Sequence, residues 1–259
     1  MAPSDPEIKV LPDPAAIAAE AAERIVHAAD EAIALSGRFR IGLSGGSTPK
    51  ALFQLLASDA YRDRIDWSNV EVFFADERCV PPDHAESNYR MARETLLSKV
   101  KIPGDNVYRM RGEVDPPNEA AKEYGQMLKE KFGGPSIEEG GGLDVTLLGM
   151  GEDGHTASLF PGTAAVNETK HRCVANYAEK STTGKSWRLT LTARFINRSR
   201  AVLILVAGAS KAKTLAEVLE GPRNPQRLPI QLIAPTEGKL SWLVDAAAAG
   251  MAEAEGPPG

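Results

Sequence analysis

The chain has 259 residues, 42% apolar and 25% charged, ordinary globular fractions that exclude collagen-like and low-complexity classes. Its 30 Lys+Arg against 35 Asp+Glu leave a net charge of −5, which argues against a nucleic-acid or anionic-membrane binder while allowing a local basic pocket. Two cysteines, Cys79 and Cys173, supply neither a disulfide framework nor a C-x-x-C metal spacing.

Area scaling takes the chain from roughly 40,000 Å² unfolded to about 11,000 Å² folded, enough burial for one large domain or two small ones. Residues 1–14 are polar, with no basic run ahead of an apolar core, so no signal peptide is expected. No run approaches 18 apolar residues, so no membrane span is expected either, and the chain reads as cytoplasmic. The first periodic segment, 15–35, is Ala- and Glu-rich with apolar residues at helical spacing. Short apolar runs at 39–43, 70–74, 143–148, 188–192, 201–206 and 240–244 predict strands. Several are near-continuously apolar or β-branched, as in parallel strands covered on both faces. Helices are predicted between them at 91–100, 119–132 and 211–219. Such alternation predicts an α/β fold: a mostly parallel, Rossmann-like sheet with helices on both faces. The Gly-rich stretch 133–142 fits a surface loop or a boundary equally well. No internal repeat is visible. The expectation is a single α/β domain over 1–259, with 1–6 and 252–259 flexible.

In such sheets ligands bind beyond the carboxyl ends of the strands, which directs attention to four segments. After 39–43 comes Ser44-Gly45-Gly46-Ser47-Thr48-Pro49. The glycines let backbone approach a ligand, and Thr48 is placed to cap a helix beginning at Pro49. Free N–H groups at that helix start make an anion cradle, although a plain strand–turn–helix connection has the same look. After 70–74, Asp76, Glu77 and Arg78 leave the strand together. Arg78 suits a phosphate or carbonyl clamp, or a structural pair with Asp76. After 143–148, Gly149-Met150-Gly151-Glu152-Asp153-Gly154-His155 packs three glycines into six residues. His155 fits a general base oriented by Asp153, and the N–H groups of Gly149 and Gly151 fit an oxyanion site. After 201–206, Lys211 stands at a helix start, an odd place for a cation unless an anion lies between. Arg188 opens Arg-Leu-Thr-Leu-Thr and is read first as a surface cation, second as a ligand. His27 is expected on a helix surface, and the scattered Trp67, Trp187 and Trp242 form no base-stacking platform. No set of residues has metal-ligand spacing, so no metal is expected.

Taken together and in order, these segments resemble the glucosamine-6-phosphate isomerase/6-phosphogluconolactonase family, on its lactonase side. The resemblance rests on LSGGSTP at 43–49, Asp76–Arg78 with Val80, Pro81 and His84, and Ser87-Asn88. It continues in GMGEDGHTASLFPG beginning at Gly149, the most specific part, then in RLTLT at 188–192 and in Gly208–Lys211. It spans roughly residues 38–245. The resemblance implies hydrolysis of 6-phospho-D-glucono-1,5-lactone to 6-phosphogluconate, with no cofactor and a phosphorylated sugar lactone as small-molecule partner. It implies His155 as general base with Asp153 beside it, and Arg78 near the lactone or phosphate. Gly45, Gly46, Ser47, Thr48, Asp76, Lys211 and Arg188 fall where related enzymes hold the sugar phosphate. A monomer or weak homo-oligomer is the expected state.

Two alternatives differ in sequence. Amino-sugar-phosphate deaminases continue their histidine turn toward Asn-Glu-Pro, where this chain has Ser158-Leu-Phe-Pro, and carry Tyr in place of Arg78. A non-catalytic sugar-phosphate sensor needs only the cradle and usually an added module, which this chain lacks.

Overall fold

A computed structural model describes residues 5–178 and 187–251. The expected loose tail 252–259, and residues 1–4 of the expected loose start, lie outside the described residues.

The chain begins with β1 (Glu7–Leu11) and α1 (Pro14–Ser36). Asp13 caps α1 by accepting from the Ala16 N–H at 2.8 Å, and Gly37 ends it with φ 72° while donating to the Ile33 carbonyl. Ile17, Ala21, Ile25, Ala29 and Ala32 form the buried stripe between these signals. There follow β2 (Phe39–Leu43), α2 (Ser47–Leu56), β3 (Val70–Phe74), β4 (Asp76–Arg78) and α3 (Asn88–Ala92). Next come α4 (Pro117–Phe132), β5 (Val145–Gly149), β6 (Cys173–Tyr177), β7 (Trp187–Leu191) and α5 (Ala193–Ile196). The order closes with β8 (Ala201–Val206), α6 (Ala212–Glu220) and β9 (Lys239–Asp245).

Six strands make one parallel sheet in the order β1-β9-β8-β5-β2-β3. The sheet is covered on both faces, as alternation along β3 makes plain. Phe73 meets Phe132 of α4 at 5.2 Å, and its neighbour Phe74 points the other way to Tyr89 of α3 at 6.0 Å. The mostly parallel α/β sheet expected from the pattern is therefore present.

A second sheet, β4-β7-β6, is antiparallel. Ala75 joins the two: its N–H donates to Leu43 in the parallel sheet, and its carbonyl accepts from Leu191 in the small one, both at 2.8 Å. The chain moves from β2 outward to β3 and then returns to β5 on the other side of β2. That reversal opens a crevice between the carboxyl ends of β2 and β5.

The Gly-rich stretch 133–142 is a loop strapped to the body. Nη2 of Arg172 donates to the carbonyls of Gly133 and Ser136 at 3.1 and 2.9 Å, Arg198 reaches the Gly140 carbonyl at 3.3 Å, and Arg194 pairs with Glu138. The single helix expected over 91–100 is instead the short α3 followed by one π-helical turn, Arg93–Leu97. Among the described residues no helix is long and apolar enough to cross a membrane.

Candidate active site

A cleft of about 1270 Å³ lies at the crevice and is lined from every segment singled out above. Gly45 to Pro49 come from the β2–α2 turn, Asp76 and Arg78 from β4, and Gly149 to His155 from the end of β5. Arg188 comes from β7 and Lys211 from the turn before α6.

At the β2–α2 turn the helix begins two residues earlier than expected, at Ser47, and Thr48 does not cap it. The cap is Gly46, in the left-handed half of backbone space at φ 115°, and no side chain accepts from the first turn. This helix start suits an anion better still. A Thr cap would consume an N–H, whereas here those of Ser47 and Thr48 meet no acceptor among the described residues, and Pro49 has none to satisfy. Lys211 sits at the N-cap of α6, where it reaches Glu152 only at 3.9 Å.

The turn after β5 brings Nδ1 of His155 to 2.6 Å from Oδ1 of Asp153, which also accepts the His155 N–H at 3.0 Å. An ionised carboxylate only accepts, so Nδ1 carries the proton and Nε2 is left as the basic nitrogen. Burial pushes the Asp153 carboxyl up, but the His155 hydrogen bond and charge outweigh it and hold it below its ordinary value. The ring rests on Phe160, centroids 4.7 Å apart.

Gly151 departs from its expected role as an oxyanion donor. Its N–H donates to the His155 carbonyl at 2.8 Å and closes the turn. Its need for glycine is steric: a Cβ there would lie 2.1 Å from Nδ1 of His155. Gly149 ends β5, and its carbonyl accepts from Thr156 Oγ1 at 2.8 Å.

Arg78 makes no ion pair with Asp76 in this structure. Its Nη1 donates to the Glu86 carbonyl and to Oδ1 of Asn88, both at 2.8 Å, and its other guanidinium nitrogens have no hydrogen-bond partner among the described residues. Asp76 is held instead by Asn88 and by Oγ of Ser158 at 2.7 Å. Arg188 is not a surface cation. It is 5% exposed, sits in register opposite Arg78, and has its pKa lowered by burial and then by the Arg78 charge. Two guanidinium groups therefore flank one wall of the cleft.

Several lining residues carried no sequence signal of their own. Asn88 and Ser158 belong to recognised segments without an assigned role, and Arg227 lies in a polar loop after α6, paired with Glu217. Trp187 lines the cleft edge-on to Tyr177, 5.2 Å between centroids, whereas Trp67 and Trp242 are buried. His27 lies on the α1 surface, 3.3 Å from Glu31, as expected. Cys79 and Cys173 are free thiols; burial pushes the first up to about 11 and the second further still.

The family model described as glucosamine-6-phosphate isomerases/6-phosphogluconolactonase matches residues 12–242. A 6-phosphogluconolactonase of Nostoc sp. is 40% identical over 241 residues, covering 93% of this chain and 96% of its own. The solved 6-phosphogluconolactonase of Trypanosoma brucei superposes with a TM-score of 0.83 at 31% identity, over 95% of this chain and 98% of that one. A monomeric glucosamine-6-phosphate deaminase superposes with a TM-score of 0.78 over 95% of this chain and all of its own, but at 19% identity it shares only the fold.

Proposed function

Because the chain belongs to the glucosamine-6-phosphate isomerase/6-phosphogluconolactonase family, we propose that its cleft hydrolyses 6-phospho-D-glucono-1,5-lactone to 6-phosphogluconate, in the oxidative pentose phosphate pathway. The observation that carries the chemistry is the Asp153–His155 pair at 2.6 Å in the same cleft as an uncapped helix start and Lys211. A base and an anion cradle in one cleft suit a substrate with a phosphate at one end and an electrophilic carbonyl at the other.

Nε2 of His155 takes a proton from water as the water oxygen bonds to the lactone carbonyl carbon. Ionised Asp153 stabilises the imidazolium that results. Negative charge develops on the carbonyl oxygen, and Arg78, with Arg188 across from it, is the cationic pair that meets it. Collapse breaks the bond between carbonyl carbon and ring oxygen, and His155 returns its proton to that oxygen. The product carboxylic acid then ionises, releasing one proton per turnover. Gly45, Gly46, Ser47 and Thr48, with Lys211, hold the phosphate, and its binding energy orients the carbonyl. Asp76 faces substrate hydroxyls in this reading, and Gly149 keeps its place beside the carbonyl oxygen. We take 1–259 as one cytoplasmic catalytic domain, because a continuous apolar core includes residues of both sheets.

Freshly generated 6-phosphogluconolactone should open faster with the protein than without it, while glucosamine-6-phosphate should yield no ammonia. Ammonia release without lactone opening would move the assignment to the deaminase. Binding of sugar phosphates with neither reaction would make the chain a sensor.

A further inference from the structure

The polar interior of the small sheet converges on Asn88, which opens α3 and is 2% exposed. Its Oδ1 accepts from Nη1 of Arg78 at 2.8 Å, and its Nδ2 donates to the Asp76 carbonyl at 2.9 Å and to Asp76 Oδ1 at 3.1 Å. These neighbours decide which way the amide faces. Turned over, it would set donor against guanidinium and carbonyl against carboxylate. The backbone beneath is anchored as well: buried Glu77 accepts from the N–H groups of Asn88 and Tyr89 at 2.8 and 2.9 Å and from Ser87 Oγ at 2.9 Å.

The anion cradle rests on the same amide. A Cβ on Gly45 would lie 2.0 Å from Oδ1 of Asn88 and 2.7 Å from its Cγ. Gly45 is absent from the residues with positive φ, so it is this contact, not backbone conformation, that demands glycine there. One carboxamide thus touches the cradle and holds both Asp76 and Arg78.

We propose that Asn88 is the positioning residue that sets the spacing between the phosphate cradle and the reacting end of the cleft. Its kinetic consequence rests on the lactonase reading; the Gly45–Asn88 contact does not. Charged groups facing position 88 are Asp76, Glu77 and Arg78 of β4, with Arg188 opposite Arg78 on β7. Asn88→Asp keeps the shape and the Arg78 contact but cannot donate to Asp76, and two carboxylates so placed share a proton.

In Asn88→Asp, kcat should fall about 10- to 100-fold at pH 8, the scale of a misplaced catalytic group, with KM within about threefold of the parent. The deficit relative to the parent should shrink as the pH falls and one carboxyl is protonated, so that the two profiles are not parallel. A purely structural role would lower the melting temperature without adding that ionisation. Independently, calorimetry with 6-phosphogluconate reads the cradle contact. Gly45→Ala should raise Kd about tenfold in the parent but less than about threefold in an Asn88→Ala background, where the obstructing amide is gone. Equal costs in both backgrounds, or an Asn88→Asp pH profile parallel to the parent's, would overturn the proposal. A parent protein that binds 6-phosphogluconate without opening the lactone would instead defeat the lactonase reading, leaving the contact to stand or fall by calorimetry.

Discussion

A methyl group on Gly151 would fall 2.1 Å from Nδ1 of His155 and 2.7 Å from Oδ1 of Asp153, so Gly151→Ala cannot keep the pair together. Displacement of a catalytic group by about an ångström costs up to ~10²-fold. The expected result is a kcat lowered by about 10- to 100-fold, KM nearly unchanged, and a native circular dichroism spectrum. His155→Asn should cost more, about 10²- to 10⁴-fold in kcat, the usual share of a general base. A base acts only when neutral, so kcat/KM of the parent falls on the acid side, and in His155→Asn that limb should vanish. The phosphate's own second ionisation, near pH ~6, is removed from the profile by using unphosphorylated gluconolactone. A folded His155→Asn protein with near-normal kcat would shift attention to Asp76 as the base, since Glu77 is buried and both its oxygens are engaged. Lys211→Ala should raise KM and cost about 1.5–3 kcal/mol in kcat/KM, while hydrolysis of unphosphorylated gluconolactone stays nearly indifferent. Equal harm to both lactones would place Lys211 at the carbonyl or in folding. At this scale sequence reads chemistry better than use. His155, Asp153, Arg78 and Lys211 announce themselves by residue type after a strand, and all line the cleft. That the Gly151 N–H is spent inside the turn, or that Arg188 is buried opposite Arg78, depends on partners far along the chain, which local pattern does not contain.

The elements were legible in proportion to how fully they are buried. β3 is buried at all five positions and β8 at five of six, and both coincide with the apolar runs that predict them. β1 and β4 carry no such run. β1 is a half-exposed sheet edge, with Ile8 and Val10 outward, and β4 is the charged triplet Asp76–Arg78, a strand only because β7 pairs with it. β1 is held by charge as much as by its ladder. Arg24 of α1 makes two 2.7 Å contacts with Glu7 and one of 2.9 Å with Ser241 of β9. The Arg24 hydrogen bonds, assisted by Ser241, pull the Glu7 carboxyl from its ordinary 4.5 down to about 2 against a smaller effect of burial. A lowered carboxyl stabilises the fold fully above its unfolded value, and that stability fades as the pH drops from about 4.5 toward 2. Glu7 is half-exposed, so screening limits the gain to under about 1 kcal/mol. Glu7→Gln should therefore lower the urea midpoint slightly at pH 7, by an amount that shrinks as the pH falls through about 2 and vanishes below it. A deficit that did not shrink with falling pH would mean that Glu7 acts through packing.

On the scale of the whole molecule, the proposed chemistry asks only for an imidazole, a carboxylate and fixed cations, so activity should survive dialysis against a strong chelator. A loss restored by zinc or manganese would reveal a metal role. We propose a monomer or weak homo-oligomer, because among the described residues the exposed large apolar side chains are spread apart: Ile8 and Val10 on β1, Leu35 near the end of α1, Tyr177 and Trp187 at the cleft, and Met251 beyond β9. Sedimentation velocity at micromolar concentration should find mainly the one-chain species, and a tight dimer would refute it. The place of β1 in the sheet also has a temporal side. Among the described residues it pairs with β9, and the Glu7–Ser241 hydrogen bond spans 234 residues, so on the ribosome β1 must wait for β9. Until then α1 lacks part of the surface it covers, and β1 stays unpaired while the strands between are made. Refolding followed by pulsed hydrogen exchange should show the amides of β1 and β9 gaining protection together, after those of β2, β3 and β5.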